Sequence, residues 1–317
     1  MSFHSLLLTV AIIMGIWGLL GLGLNLNYGD TGLLNFAHVG FFGIGAYTSA
    51  ILTVPPPTGS LADRVVGFDL PIVVGMIAAM LVAALAGVLF ALPSAQLDGD
   101  YFAIVTLSLA EISRFILTNE KWLTAGVKGL NNIPRPLSSS ITFDYNIFYL
   151  GLIVAVMIGS LFVLTRLTES PFGRILHAVR EDEQVPKALG KNTYLAKIKS
   201  FGIAAGLAGL AGGLWAHWSY ALTPFQFNPN ITFLIWTGII LGGIGSHYGA
   251  LLGTFVIVFL REATRLLPEL PFGLSDDVQF LRLILIGALL IAVLYFRPHG
   301  ILGDKERLSA GTTGGGE

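Results

Sequence analysis

Apolar residues run along this chain in long blocks separated by short polar gaps. The blocks cover about 5–26, 32–54, 70–92, 101–117, 146–165, 200–222, 231–246, 247–262 and 279–296. Within each block the apolar residues are continuous, not alternating, so the pattern predicts helices and not the strands of a barrel. Several blocks reach about 18 residues, the length at which an α-helix crosses the hydrocarbon core of a bilayer. Segments 101–117 and 231–246 are short, which makes them candidates for broken or re-entrant helices. The expected fold is an all-α integral membrane protein, a polytopic bundle of about 8–10 transmembrane helices. It forms one transmembrane domain over 1–303. The Gly-rich end "SAGTTGGGE" places a disordered tail at 304–317. The first block lacks a basic leader and a clear cleavage site, so it reads as a retained span.

Composition narrows the chemistry. Of 317 residues, 54% are apolar and 12% charged, against roughly 25% charged in a soluble domain. The net charge of −1 argues against nucleic-acid binding. There is no cysteine, which excludes disulfides, thiol catalysis and thiolate metal sites. The sequence has no G-x-x-x-x-G-K-[ST], no G-x-S-x-G and no H-E-x-x-H. Nothing here predicts an enzyme, a bound metal or an ATP site of the chain's own.

The charges that exist are gathered. Of 18 Lys and Arg, seven fall between Arg166 and Lys199. The positive-inside rule therefore makes the loop 166–199 cytoplasmic. Arg297, Lys305 and Arg307 put the C-terminus on the same side. The uncharged loop 223–230 fits the other side, three crossings earlier. Residues 1–63 carry no Lys or Arg, so this rule does not assign the N-terminal side. The loop is ordered in its charges: Glu181, Asp182 and Glu183 precede Pro186, and Lys187 and Lys191 follow. Pro186 suits the first turn of a helix with acids at its positive end, and Gly190 suits its stop. The expectation is a helix, a break and a short capped helix. Two readings stay open: a solvated loop that enforces topology, or a docking element for a soluble partner.

Small and polar residues mark the spans. Gly202, Gly206, Gly209 and Gly213 share one helical face, and Gly245, Gly249 and Gly253 recur at spacing four. Such stripes let helix backbones approach closely. Polar side chains at membrane depth cost several kcal/mol unless paired or wet. Asn35 and His38 lie near the start of the second block; Thr106, Ser108, Glu111 and Arg114 lie inside the fourth. Glu111 and Arg114, at i and i+3, can pair on one face. The alternative is that Asn35, His38, Thr106, Ser108 and Glu111 line a solute path.

Six stretches occur in order: "GLLNFAHVGFFGIGAYTSAIL", "LDGDYFAIVTLSLAEISRFIL", "FGRILHAVREDEQVPKALGKN", "FGIAAGLAGLAGGLWA", "GGIGSHYGALLGTFVI" and "YFRPHGILG". Together, over about residues 20–303, the chain resembles the permease subunits of branched-chain amino acid ABC importers, the LivH/LivM type. Asp100, Tyr101, Glu111 and "RPHGILG" favour the LivM side. The resemblance implies a multi-pass protein of a prokaryotic inner membrane with four kinds of neighbour: a second related permease, two ATP-binding subunits, an extracytoplasmic solute-binding protein and the lipid bilayer. It implies that ATP is bound by the partners, leaving this chain without a cofactor. It also implies an ATPase-coupling loop matched at Gly173, Arg174, Arg180, Glu181, Asp182 and Gly190, with Glu183 in the same acidic run. Val185, Pro186 and Lys187 depart from the small or acidic residues more frequent there. Rival cargoes of the same architecture are urea, short-chain amides and other neutral amino acids. A secondary transporter, a channel and a membrane scaffold are the rival functions that need no ATPase.

Overall fold

The computed structural model describes residues 3–56, 66–97, 99–137, 144–263, 278–297 and 300–302. The tail expected at 304–317 lies outside the described residues. Among them the elements are helices alone, apart from one isolated bridge between Leu130 and Leu222. In chain order they are α1 (Phe3–Asn25), which runs on into a π-helical turn (Leu26–Asp30), then α2 (His38–Thr53), α3 (Ile72–Ser94) and α4 (Gly99–Asn119). A short α5 (Lys121–Thr124) follows, then α6 (Tyr145–Glu169), α7 (Pro171–Glu181), α8 (Gln184–Ala188) and α9 (Thr193–Ser219). The last described helices are α10 (Asn230–Gly242), α11 (His247–Ala263) and α12 (Val278–Phe296). The all-α polytopic fold is therefore present, and among the described residues five helices are long and apolar enough to span a bilayer: α1 with its π turn, α3, α4, α6 and α9.

Burial sorts these helices into layers. α1 and α9 are mostly buried inside the protein, whereas α3, α4 and α6 are mostly exposed along apolar faces. A helix apolar all round and enclosed is a core helix; one with an apolar outer face needs lipid or a partner. α3 shows the division well. Gly75, Ala79, Ala83, Gly87 and Ala91 are buried at a spacing of four, while Leu81, Leu85 and Leu89 point outward and are exposed. The small stripe meets the glycine face of α9, where Gly202, Gly206, Gly209 and Gly213 abut Val88, Ala84, Ala83 and Met76 of α3. The expected close packing of that glycine face is realised here.

Several boundaries differ from the block pattern. Segment 101–117 is not broken; α4 is one continuous helix of 21 residues, long and apolar enough to span a bilayer. α10 has 13 residues, about 20 Å at 1.5 Å per residue, which falls short of a crossing. Gly243 and Gly245 have φ of +118° and +85°, a backbone that stops α10 and sets Gly245 outside α11. Only Gly249 and Gly253 of that triplet are helical, packed against Gly242 and Gly238 of α10. α2 begins at His38, six residues later than the block, because 32–37 is non-helical. α9 begins at Thr193, seven residues before its block, because its charged first turns extend beyond the apolar region.

Candidate functional site

Two groups of residues carry chemistry: the polar lever of α7 and α8, and the polar positions of α2 and α4.

The lever starts where Ser170 caps α7 and Pro171 occupies its first turn, an arrangement with no lost backbone donor. The chain then breaks at Asp182 and resumes as α8, the expected helix, break and short helix. Asp182 Oδ1 accepts the Gln184 N–H at 2.8 Å, so an acid sits at the start of α8. Gly190 follows with φ +73°, a left-handed stop that glycine takes at least cost. Gly173, Leu176 and Val179 are buried; Leu176 packs with Leu22, Leu26, Leu164 and Ala196. Arg174, Glu181, Asp182, Val185, Lys187, Leu189 and Gly190 face outward. Val185 and Leu189 are 54% and 73% exposed and sit one turn apart, an apolar tip on a charged arm.

Glu183 is the exception among the acids. Its carboxylate accepts from Lys197 Nζ at 2.5 Å and from Thr193 Oγ1 at 2.9 Å, and Lys187 lies at 3.2 Å. Burial alone pushes this carboxyl upward. The bonds from Lys197 and Thr193, the Lys197 charge and the Lys187 bond outweigh it and hold Glu183 below the usual carboxylate range. A depressed carboxylate adds stability above its unfolded-state value, and that stability is lost as pH falls through the folded-state value. Acidification below the ordinary carboxylate range should therefore release α8 from α9. Hydrogen exchange of α8 amides reads this out: faster exchange in acid is expected, and Glu183→Gln should exchange faster already at neutral pH. Unchanged exchange in both cases would show that the clamp contributes nothing.

The root of the lever lies against a buried polar network that the block pattern did not single out. His177 Nε2 is 3.0 Å from Asp30 Oδ1, and Arg180 Nη1 donates to the Gly29 carbonyl. Both partners belong to the π turn that ends α1. Asn25 Oδ1 accepts the Gly245 N–H at 3.0 Å, which leaves Asn25 Nδ2 to donate to His247 Nδ1 at 3.1 Å. On α9, Ser200 Oγ lies 2.8 Å from Thr31 Oγ1 and 3.3 Å from Asn27 Oδ1. The sequence marks these positions only as polar: Asn25 lies at the end of the first block, and Asn27, Asp30 and Thr31 lie in the gap before the second.

The five polar positions at the start of α2 and along α4 do not form one cluster. Asn35, His38 and Thr106 are fully buried and serve the irregular start of α2. Asn35 Oδ1 accepts the Ala37 N–H at 2.9 Å, and Asn35 O accepts from Trp236 Nε1 at 3.2 Å. Thr106 Oγ1 accepts the Phe36 N–H at 3.1 Å, and Thr232 Oγ1 accepts the Val39 N–H at 3.2 Å. His38 Nε2 donates to the Leu20 carbonyl at 3.0 Å. Side chains thus satisfy the donors that a helix starting inside the bundle leaves bare. Ser108 and Glu111 point the other way, onto the exposed face of α4. Arg114 Nε and Nη2 bond Glu111 Oε2 at 2.9 and 2.7 Å, so the i, i+3 pair forms. Among the described residues no group of three His, Asp or Glu side chains is placed to hold a metal.

Comparison with known proteins agrees in extent. The family model of the branched-chain amino acid transport system permease component matches residues 6–294. The high-affinity branched-chain amino acid transport system permease protein LivM of Escherichia coli K12 is 32% identical, covering 92% of this chain and 69% of that protein. A probable branched-chain amino acid transport permease protein LivM of Methanocaldococcus jannaschii is 24% identical, covering 95% and 94%. LivH of Salmonella typhimurium is 28% identical over 92% of both chains. No solved structure matches. A match over nearly the whole membrane domain shows that this chain belongs to the family of permease components of branched-chain amino acid transport systems.

Proposed function

We propose that this chain is the membrane-embedded permease subunit of an ABC importer for branched-chain amino acids, driven by separate ATPase subunits. The observation that carries this reading is the family match over residues 6–294. It is a transport subunit, multi-pass in the inner membrane. Its partners are a second related permease, two ATP-binding subunits and an extracytoplasmic solute-binding protein. The loop 166–199 and the C-terminus face the cytoplasm, a reading supported by the seven basic residues between Arg166 and Lys199. The lever then docks on an ATPase through Arg174, Glu181, Asp182 and the apolar tip of Val185 and Leu189. Gly173, Arg180, Glu183 and Gly190 give it its shape. ATP-driven closure moves the lever, and the permease pair exchanges between two conformations of differing stability.

The exposed face of α4 lines the solute path or its boundary with the second permease. An ion pair in the middle of a 21-residue span is unfavourable against lipid. Ser108 and Glu111 then meet the solute's polar ends. Asn35, His38 and Thr106 hold the start of α2 behind that face.

The test is copurification followed by uptake. The chain with its co-encoded partners should import labelled leucine in preference to labelled urea, and only with ATP. Glu181→Lys combined with Asp182→Lys should insert normally yet lose ATPase copurification by at least about tenfold, the scale of a reversed interfacial charge pair. Glu181→Lys alone, which keeps the Asp182 bond to the Gln184 N–H, should show a smaller loss in the same direction. Full copurification of both variants would overturn the docking assignment.

A further inference from the structure

We infer that Asp30 is a positioning residue through which the lever α7 is linked to both α1 and α11, so that the three move as one unit. This inference rests on the coupling reading of the lever given above.

Asp30 is 1% exposed. A buried carboxylate is costly unless other groups neutralise or hydrogen-bond it. Its two oxygens look to two different elements. Oδ1 bonds His177 Nε2 on α7 at 3.0 Å. Oδ2 has no hydrogen-bond partner among the described residues and lies 3.9 Å from His247 Nε2 at the start of α11. The orientation of that imidazole follows from its neighbours. Asn25 Oδ1 is occupied by the Gly245 N–H, so Asn25 donates to His247 Nδ1. The proton of His247 therefore sits on Nε2, the nitrogen that faces Asp30 and lies 3.3 Å from Thr168 Oγ1.

The backbone under Asp30 is itself unusual. It closes a π-helical turn at the end of a 23-residue α-helix, and such wide turns occur frequently at functional sites. Two side chains of α7, His177 and Arg180, grip this one turn, at Asp30 and at the preceding carbonyl of Gly29. Thr31 and Asn27 tie the same turn to Ser200 of α9. If α7 swung alone, the buried carboxylate would lose its only hydrogen-bonded side-chain partner among the described residues. The less costly displacement carries the π turn, and with it α1 and the His247 end of α11. A lever that merely rested on the bundle would need no such link.

The experiment uses the assembled importer in proteoliposomes, with solute transported and ATP hydrolysed measured on the same sample. Asp30→Asn keeps the shape but removes the charge; His177→Ala cuts the link from the lever side. Both should assemble and hydrolyse ATP, with transport per ATP reduced by at least about fivefold, the low end of intersite coupling. The double variant should be no worse than Asp30→Asn alone, and His177→Lys, which restores a donor, should recover part of the loss. A wild-type transport-to-ATP ratio in both single variants overturns the inference. So does a loss of transport that only follows the amount of assembled complex. If Asp30→Asn does not assemble, His177→Ala decides, since His177 is partly exposed on the lever. Failure of the coupling reading looks different: the wild-type chain itself would neither retain the ATPases nor show ATP-dependent uptake.

Discussion

Gly209→Leu should abolish accumulation of the folded chain. Gly209 sits where three helices meet. A Cβ there runs into Ala83 Cβ and the Ala79 carbonyl of α3, and a Cβ on Gly45 of α2 would in turn strike the Gly209 backbone. Neither neighbour is the free end of a flexible side chain, so the clash is relieved only by moving helices apart. Overpacking of a well-packed core costs about 1–3 kcal/mol where side chains can yield. Here backbone must yield, and the cost takes up much of a total stability on the order of 5–15 kcal/mol. Detergent-extracted yield and a monodisperse elution peak are the measurements. Gly206→Leu should do less damage, because its nearest neighbours, Ala84 Cβ and the Met80 carbonyl, stand off at 3.3 and 3.4 Å. Gly159→Leu on α6, with nothing within 4 Å, should be close to neutral. A Gly209→Leu variant that purifies like Gly159→Leu would mean that α3 and α9 do not pack through this stripe.

The contrast among these glycines indicates what the sequence carries and what it withholds. The glycine face of α9 was readable, because small residues at spacing three and four leave a periodic mark. Its complement on α3, Gly75, Ala79, Ala83, Gly87 and Ala91, carries an equally regular mark inside an apolar run. The lever was readable for a different reason: the acids before Pro186, Pro186 itself and Gly190 act locally, through helix-end charge and fixed dihedrals. The start of α2 was not readable. Leu33, Leu34 and Phe36 look helical by polarity, and beside the local bond of Asn35 to the Ala37 N–H, the Phe36 and Val39 N–H groups are taken by Thr106 and Thr232, 70 and 193 positions away. The Asp30 network eludes a sequence for the same reason. Its members come from α1, α7, α9 and α11, and no spacing along one element joins them. Polarity along a helix shows that Ser108 and Glu111 are misfits in a span; only the packing shows that they face outward while Asn35, His38 and Thr106 face in.

That outward face yields the second large effect. Replacing both Glu111 and Arg114 with Leu should leave insertion and assembly near normal while reducing uptake by at least about tenfold, since removing polar groups aimed at a solute costs on the order of 1–3 kcal/mol of its recognition. The pair is neutral as a unit, so its joint removal leaves no orphan charge; swapping a bonded ion pair for apolar residues is often neutral or stabilising. The single variants differ. Arg114→Leu strands Glu111 in the middle of a span, and Glu111→Leu strands Arg114, so each should lower the yield of folded protein more than the double variant does. This ordering separates three environments for the α4 face. Against lipid, the double variant would gain stability and transport normally. Against the second permease alone, it would copurify less of that partner and lose uptake in proportion. Lining the path, it would keep its partners and lose uptake, with the Michaelis constant for leucine rising. The third pattern is the expected one, because Ser108, one turn before Glu111, bonds only its own helix at the Ile104 carbonyl and keeps its lone pairs open to a passing ammonium group. Unaltered uptake by the double variant would remove α4 from the route and leave the exposed ion pair as a surface feature.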